Sequence, residues 1–417
     1  MRPPLPAGPY LIVGLARSGV AAARMLREHG EVLAVDSGRP ELPPDLRAGL
    51  EVELEGDGLG LLERAGCLVK SPGVPREAPV VAAAHTSGIP VLGELELAWR
   101  LLPNRFVAVT GTNGKTTTVE LLGAIWRAAG LPVAVAGNVG TPLGSLVGTL
   151  DASATVACEV SSFQAEDTAA FAPDVALLLN LEEDHLDRHG SLDSYRAAKL
   201  RVFANQTSDQ VAVAPAGLEL PGAARRIVFG DRAELPLPAD RIRLRGAHNL
   251  ENCMGASAAA LAAGVPAEAV AEALRTFAGV PHRLEEVGSV DGVLYVNDSK
   301  ATNVASAVRG IEAFDGGVHA ILGGSLKGGG FEGLRGAVRA RCRACYLIGE
   351  AAGRLERDLA GTVPLHRCGE LARAMSAATA AAAPGEVVLL SPACASFDQF
   401  RDFEQRGERF RALVPRA

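Results

Sequence analysis

The chain has no run of 18 uninterrupted apolar residues, no basic excess and no even set of cysteines, and each absence removes a class of function. Without a long apolar run there is no membrane-spanning helix. Residues 10–13 are too short for a signal-peptide core and are broken at Gly14, so a cytoplasmic location is expected. A net charge of −7, with no basic stretch beyond short patches such as Arg339-Ala340-Arg341-Cys342-Arg343, argues against nucleic-acid binding. Seven cysteines, at 67, 158, 253, 342, 345, 368 and 394, suit reduced thiols rather than a disulfide framework. Cys342 and Cys345 make a lone C-x-x-C without a second pair, which reads as a helix-end coincidence rather than a zinc or redox centre. Low-complexity tracts and internal repeats are also missing, apart from a recurring βα rhythm.

What is present is a soluble α/β pattern. The 417 residues are 48% hydrophobic and 21% charged, enough for roughly two to three domains with their own cores. Segments 1–92, 93–279 and 280–417 each alternate apolar strands with helices. In the first, residues 10–13 and 32–35 read as strands, 14–19 as a turn and 20–29 as a helix, together a βαβ unit. Its fingerprint G-x-G-x-x-G is broken by Ala16, so the signal for a dinucleotide is weak. A diphosphate could still sit at the helix start near Arg17 and Ser18, with Asp36 or Ser37 near a ribose or base. Ser71, in the Pro-Gly turn after the strand near Val69, could bond a ligand or simply shape the turn.

The second segment centres on Val109-Thr110-Gly111-Thr112-Asn113-Gly114-Lys115-Thr116-Thr117. A buried strand over 106–109, a glycine turn and a helix over 119–129 make an anion site in which Lys115 can reach outer phosphates and Thr116 can ligate Mg²⁺. The general phosphate-loop pattern would need glycine where Val109 stands. Residues 155–164 read as a strand with Glu159 placed to complete Mg²⁺ coordination. His185, between Asp184 and Asp187, is open between a second metal and a helix cap. Lys199, on a helix over 195–203, would by itself be a snorkelling surface lysine. A further Ala-rich helix covers 253–263.

In the third segment, strands over 293–296, 319–322, 345–348 and 386–390 each run into a polar loop, where ligands of open α/β sheets bind. Asp298, Lys300 and Thr302 crowd the first loop. Lys327 stands in the glycine-rich second, suited to an anion, and Arg283 lies at the junction of segments.

Taken together these motifs resemble the Mur ligases, ATP-dependent enzymes that build the peptide stem of peptidoglycan. The similarity spans the chain: residues 110–118, Glu159-Val160-Ser161-Ser162-Phe163-Gln164, 180–187, 195–199, His248-Asn249-x-x-Asn252 and Pro281-His282-Arg283 match in order and spacing. Residues 297–303, 391–400 and 403–407 resemble the members that add D-glutamate. The D-N-P-R signature of the diaminopimelate- and lysine-adding members is missing.

The resemblance implies three domains: an N-terminal Rossmann-like UDP-binding domain, a central P-loop ATPase-like domain with a parallel sheet, and a C-terminal Rossmann-like domain. It also implies residue roles. Leu15, Arg17, Ser18, Ser37, Ser71, Asn138, Ser161, Gln164 and His185 would hold the UDP-substrate. Gly111, Thr112, Asn113, Gly114, Lys115, Thr116, Thr117, Asn249, Asn252, Arg283 and Asp298 would hold ATP. Lys300, Thr302, Lys327, Ser396 and Phe403 would receive D-glutamate. Two Mg²⁺ ions would be served by Thr116, Glu159, His185 and a carbamylated Lys199, with Lys115, Glu159, His185 and Lys199 forming the catalytic set. The implied reaction joins D-glutamate to UDP-N-acetylmuramoyl-L-alanine through an acyl phosphate, in a monomer whose third domain closes on the site. The alternatives are a folylpolyglutamate synthetase-like ligase, or a nucleotide-dependent switch or binding module without catalysis.

Overall fold

The computed structural model describes residues 2–47, 49–184, 186–326 and 329–415, so His185 and Lys327 lie outside the described residues. Among the described residues there are three sheets. In the first, β1 (Tyr10–Val13), β2 (Val32–Asp36), β3 (Glu51–Leu54), β4 (Cys67–Lys70) and β5 (Val91–Gly93) run parallel in the order β3-β2-β1-β4-β5. In the second, β6 (Arg105–Thr110), β7 (Val133–Gly137), β8 (Thr155–Glu159), β9 (Val175–Leu178), β10 (Val211–Pro215) and β11 (Arg225–Phe229) run parallel in the order β11-β10-β9-β6-β8-β7. The third contains β12 (Glu285–Val290), β13 (Val293–Asn297), β14 (Val318–Gly323), β15 (Cys342–Ile348), β16 (Leu365–Gly369) and β17 (Val387–Leu390), ordered β12-β13-β17-β14-β15-β16, with only β12 antiparallel.

The strand sequences dictate this burial. In β1 every residue is apolar because both faces are covered: Tyr10 and Ile12 enter one core, and Leu11 and Val13 the other. β17 divides the same way, Val387 and Leu389 against Val388 and Leu390. The core beneath β1 continues through Leu95, Trp99, Phe106 and Phe171 to the second sheet. Two compact units result, Met1–Ile242 with Glu251–Arg275, and Arg243–Leu250 with Thr276–Ala417.

Strand order fixes where ligands can enter. β1 lies between β2 and β4, β6 between β9 and β8, and β17 between β13 and β14. In the first two sheets the connections leaving β1 and β4, and β6 and β9, run in opposite directions, and such a divergence opens a crevice at the carboxyl ends.

Several local expectations are corrected. The first helix is Arg17–Leu26, three residues earlier than the 20–29 pattern. Gly19 belongs to it, because a Cβ there would come within 1.9 Å of the Gly14 carbonyl oxygen. β8 stops at Glu159 instead of running to residue 164. Ser161 and Gln164 form a capping box that starts the helix Ser162–Glu166, an S-x-x-Q signal present in the sequence. Lys199 is not a surface lysine; it is 2% exposed. Cys342 does cap a helix end, that of Arg335–Arg341, but also opens β15, in which Cys345 is buried.

One buried carboxylate ties the first sheet's last helix to the second sheet's surroundings. Glu96, in the helix Glu94–Leu101, accepts the backbone N–H groups of Ala169 (3.0 Å), Ala170 (3.1 Å) and Phe171 (2.9 Å) and pairs with Arg100 at 2.7 Å. Replacing it strands three donors and a guanidinium. Glu96→Ala is expected to cost about 3–5 kcal/mol, read as a lowered urea midpoint with unchanged slope.

Candidate active site

β6 is buried from Phe106 through Thr110 and delivers the chain into a turn set by two glycines. Gly111 has φ +149°, and a Cβ there would lie 3.1 Å from that of Leu179. Gly114 has φ +83°, and its Cβ would lie 2.0 Å from Asn252 Oδ1. Only glycine fits the second position. Val109, the departure from the general loop pattern, is a fully buried strand residue opposite Glu159 and Leu177, so the turn begins two residues later. The helix Lys115–Ala128 follows, its start turning the positive end of the helix dipole towards the turn. Residues 180–182 stitch the turn in place. Thr112 Oγ1 donates to the Glu182 carbonyl (3.1 Å) and accepts from its N–H (2.9 Å), and the Asn113 N–H donates to Asn180 Oδ1 at 2.8 Å.

Two lysines converge on one carbonyl. Lys115 Nζ donates to Gly111 O at 2.9 Å and Thr112 O at 3.0 Å, and Lys199 Nζ donates to the same Gly111 O at 2.8 Å. Lys199 comes from the helix Leu192–Ala204, whose buried stripe is Tyr195, Ala198, Lys199, Val202 and Phe203. Its ammonium also lies 4.4 Å from the Tyr195 ring centroid. Burial, and then the charge of Lys115, push this amine down from 10.5 to about 7. Near neutral pH a large share is therefore the uncharged amine.

Glu159, at the end of β8, is buried; its Oε1 accepts from Asn138 Nδ2 (3.0 Å), and its carbonyl accepts the Asn138 N–H (3.0 Å). Thr116 is buried too, and a hydroxyl and a carboxylate are hard oxygen donors of the kind that fit Mg²⁺. Among the described residues no three imidazole, thiolate or carboxylate groups form a ready-made metal centre.

A cavity of about 370 Å³ opens where the first sheet reverses, at the carboxyl end of β1. It is lined by Arg17, Ser18, Asp36 and the Ser71-Pro72-Gly73-Val74 turn, with Asn138 and Gln164 from the second sheet's loops. Five of the expected substrate residues therefore meet: Arg17, Ser18, Ser71, Asn138 and Gln164. Leu15, Ser37 and Ser161 are not part of the lining. Leu15 is buried, with its N–H donated to Asp36 Oδ2 at 2.6 Å, and Ser161 is spent on its helix cap.

In the second unit, Asp298 is fully packed; burial pushes its carboxyl up to about 7 against the Ser391 hydroxyl, which donates to it at 2.7 Å. Lys300 Nζ lies 5.1 Å from the Phe403 ring centroid, joining two residues expected at the amino-acid site. The Thr302 N–H bonds the Lys300 carbonyl at 2.8 Å, and Ser396 is buried in the loop after β17. Asn249 and Asn252 are buried on the helix Ala247–Ala262, where Asn249 Nδ2 donates to the Arg245 carbonyl at 2.7 Å.

Sequence reasoning assigned no role to Arg406, which is fully buried. Its guanidinium binds the Ser299 carbonyl (2.8 Å), the Ser299 hydroxyl (3.0 Å) and the carbonyls of Cys394 (3.1 Å) and Ala395 (3.2 Å). It thereby fixes the loop after β13 to the loop after β17. A signal was available, since residues 403, 406, 407 and 410 share one helical face.

The Lys199 environment generates a pH prediction. The folded state resists protonation of this amine between pH 7 and 10.5 while the unfolded chain accepts it, so stability rises with pH across that window and the cost of the cation is complete below it. Lys199→Met removes that cost. Its gain in urea stability over the unmodified protein, in CO₂-depleted buffer, is expected to be largest below pH 7 and to shrink towards pH 10.5.

Three family patterns match the chain: the Mur ligase MurD-like N-terminal domain over residues 9–93, the Mur ligase middle domain over 109–226, and the glutamate ligase domain of Mur ligases over 282–394. The UDP-N-acetylmuramoylalanine--D-glutamate ligase of Acidobacterium capsulatum is 43% identical over 439 residues, covering 97% of this chain and 95% of that protein. The protein of the same name from Pelotomaculum thermopropionicum is 40% identical over 440 residues, covering 97% and 96%. Among solved structures, the MurF ligase from Thermotoga maritima in complex with ADP aligns with a TM-score of 0.59 at 18% identity, covering 98% of this chain and 94% of that one. The UDP-N-acetylmuramate-alanine ligase MurC from the same organism aligns with a TM-score of 0.58 at 18% identity, covering 97% and 98%. The chain belongs to the Mur ligase family.

Proposed function

We propose that this chain is an ATP-dependent ligase that joins D-glutamate to UDP-N-acetylmuramoyl-L-alanine through an acyl phosphate, in peptidoglycan precursor synthesis. The relatives named for this activity cover nearly the whole chain. The observation that carries the mechanism is the meeting of Lys115 and Lys199 at the Gly111 carbonyl. The proposed domains are 1–92 for the UDP-substrate, 93–279 for ATP and 280–417 for the amino acid. The protein acts as a monomer in the cytoplasm.

The sugar nucleotide occupies the cavity at the end of β1, held by Arg17, Ser18, Ser71, Asn138 and Gln164, with Leu15, Ser37, Ser161 and His185 completing its surroundings. The triphosphate lies on residues 111–117, and Asn249, Asn252, Arg283 and Asp298 serve the rest of the nucleotide. The alanine carboxylate attacks the γ-phosphorus, the bond to the bridging oxygen breaks and ADP leaves. Two anions must approach for this, and Lys115 offsets their repulsion as charge moves onto the leaving oxygen.

Thr116, Glu159, His185 and a carbamylated Lys199 would hold two Mg²⁺ ions, which supply further charge neutralisation. The low affinity of the Lys199 amine for a proton supports the modification. The neutral amine attacks CO₂, loses one proton and becomes an anion, which turns repulsion by Lys115 into attraction. D-Glutamate, received by Lys300, Thr302, Lys327, Ser396 and Phe403, then attacks the acyl carbon through its neutral amine. The tetrahedral adduct expels phosphate, and the nitrogen gives up its extra proton as the amide forms.

The test is ADP release with the sugar nucleotide and a panel of D- and L-amino acids; release dependent on D-glutamate alone is expected. Lys115→Ala is expected to lower ADP formation by at least about a hundredfold, and near-normal turnover would refute the loop assignment. Lys199→Ala should lose activity and regain part of it with short carboxylic acids. Full activity without them would remove this lysine from the site.

A further inference from the structure

Arg188 has no role in the reading above, yet its guanidinium holds three consecutive carbonyls of the turn that lines the substrate cavity. Nη2 donates to Val74 O at 2.5 Å and to Pro72 O at 3.3 Å, and Nη1 donates to Gly73 O at 3.2 Å. The same guanidinium lies 5.1 Å from the Phe163 ring centroid. A planar guanidinium presents its five N–H donors in a fixed fork, so it holds several carbonyls in one geometry, whereas an ammonium's three donors rotate freely.

The helix that carries it, Leu186–His189, is itself anchored. The His189 side chain is buried, with Nε2 3.0 Å from Ser162 Oγ and Nδ1 2.9 Å from Glu166 Oε1, and its ring stacks on Phe163 at 5.1 Å. From the opposite side, Lys70 Nζ donates to Val74 O at 3.1 Å and pairs with Asp167 at 2.8 Å in a buried ion pair. The Val74 carbonyl is thus held by two cations. A few residues upstream, 180–182 are bonded to the phosphate loop. Residues 180–182 therefore grip the ATP loop, and Arg188, a few positions on, grips the cavity turn.

We propose that Arg188 is a positioning residue for the sugar nucleotide, clasping residues 71–74 in their binding conformation onto the segment that braces the phosphate loop. The proposal rests on reading the cavity at β1 as the sugar-nucleotide site. Without the clasp, the turn keeps its own backbone bonds, Ser71 N–H to Val13 O and Val74 N–H to Ser71 O, and the Lys70 bond to Val74 O, but the Pro72 and Gly73 carbonyls turn to water. The ordering cost then falls on substrate binding and appears in KM rather than kcat.

The test compares Arg188→Met, Arg188→Lys and Ser71→Ala by steady-state kinetics with each substrate varied in turn, alongside thermal midpoints. Arg188→Met is expected to raise KM for the sugar nucleotide about tenfold while KM for ATP and D-glutamate and kcat stay within about twofold. Arg188→Lys, able to reach one carbonyl, should recover part of the loss. An unchanged sugar-nucleotide KM in Arg188→Met, when Ser71→Ala raises it, overturns the clasp and leaves the site reading standing. If neither variant moves that KM, the site reading falls and the clasp with it. A lowered thermal midpoint with all three KM values and kcat degraded together, and no recovery with lysine, marks a merely structural residue and also overturns the proposal. Should Arg188→Met fail to fold, Arg188→Lys decides alone: a rise confined to the sugar-nucleotide KM supports the clasp, and no rise overturns it.

Discussion

The carbonyl oxygen of Gly111 accepts hydrogen bonds from Lys115, which is half-buried, and from Lys199, which is almost wholly shielded from water. Burial penalises the charged form of Lys199 and the nearby charge of Lys115 adds to that, so the amine is pushed down to about 7. An arrangement of this kind resists its own cations and favours anions. Under the proposed function, bound phosphate groups and a carbamate formed on Lys199 would relieve it. The strain sits on a turn that only glycine can make at position 114, where Asn252 occupies the space a side chain would need. Backbone geometry and electrostatics therefore act on the same few atoms.

Sheet order places the remaining chemistry. The first sheet reverses its strand order at β1, the second sends its connections apart from β6 and β9, and polar loops gather at those carboxyl ends. In the first sheet a cavity lined by Arg17 and Ser71 opens there; in the second the glycine turn 111–114 follows β6. In the third, Arg406 binds the loops after β13 and β17 to each other, so that Lys300 and Phe403 lie together. Apolar strands supply rigidity, and buried cations decide which loops stay together.

Most of the fold was legible because its central strands are short apolar runs between turn residues, as at 106–109 and 175–178. Short or half-polar edge strands were not. β11 reads Arg-Arg-Ile-Val-Phe and is largely exposed, and β3 reads Glu-Val-Glu-Leu, so neither has the buried pattern of a central strand. The phosphate turn was legible because glycine requirements are local. The burial of Lys199 was not expected from its chemistry, although its position between Ala198 and Val202 in an apolar stripe carried the signal. Arg188 and the Lys70–Asp167 pair depend on partners distant in sequence, and no local spacing encodes such contacts.

The central claim is that the alanine carboxylate is phosphorylated before the amide forms. The most direct measurement is to label that carboxylate with ¹⁸O, run the complete reaction in unlabelled water, and analyse the released phosphate by mass spectrometry. An acyl phosphate requires one labelled oxygen to pass into phosphate for each amide made. Phosphate released without label, while amide accumulates, would contradict the account.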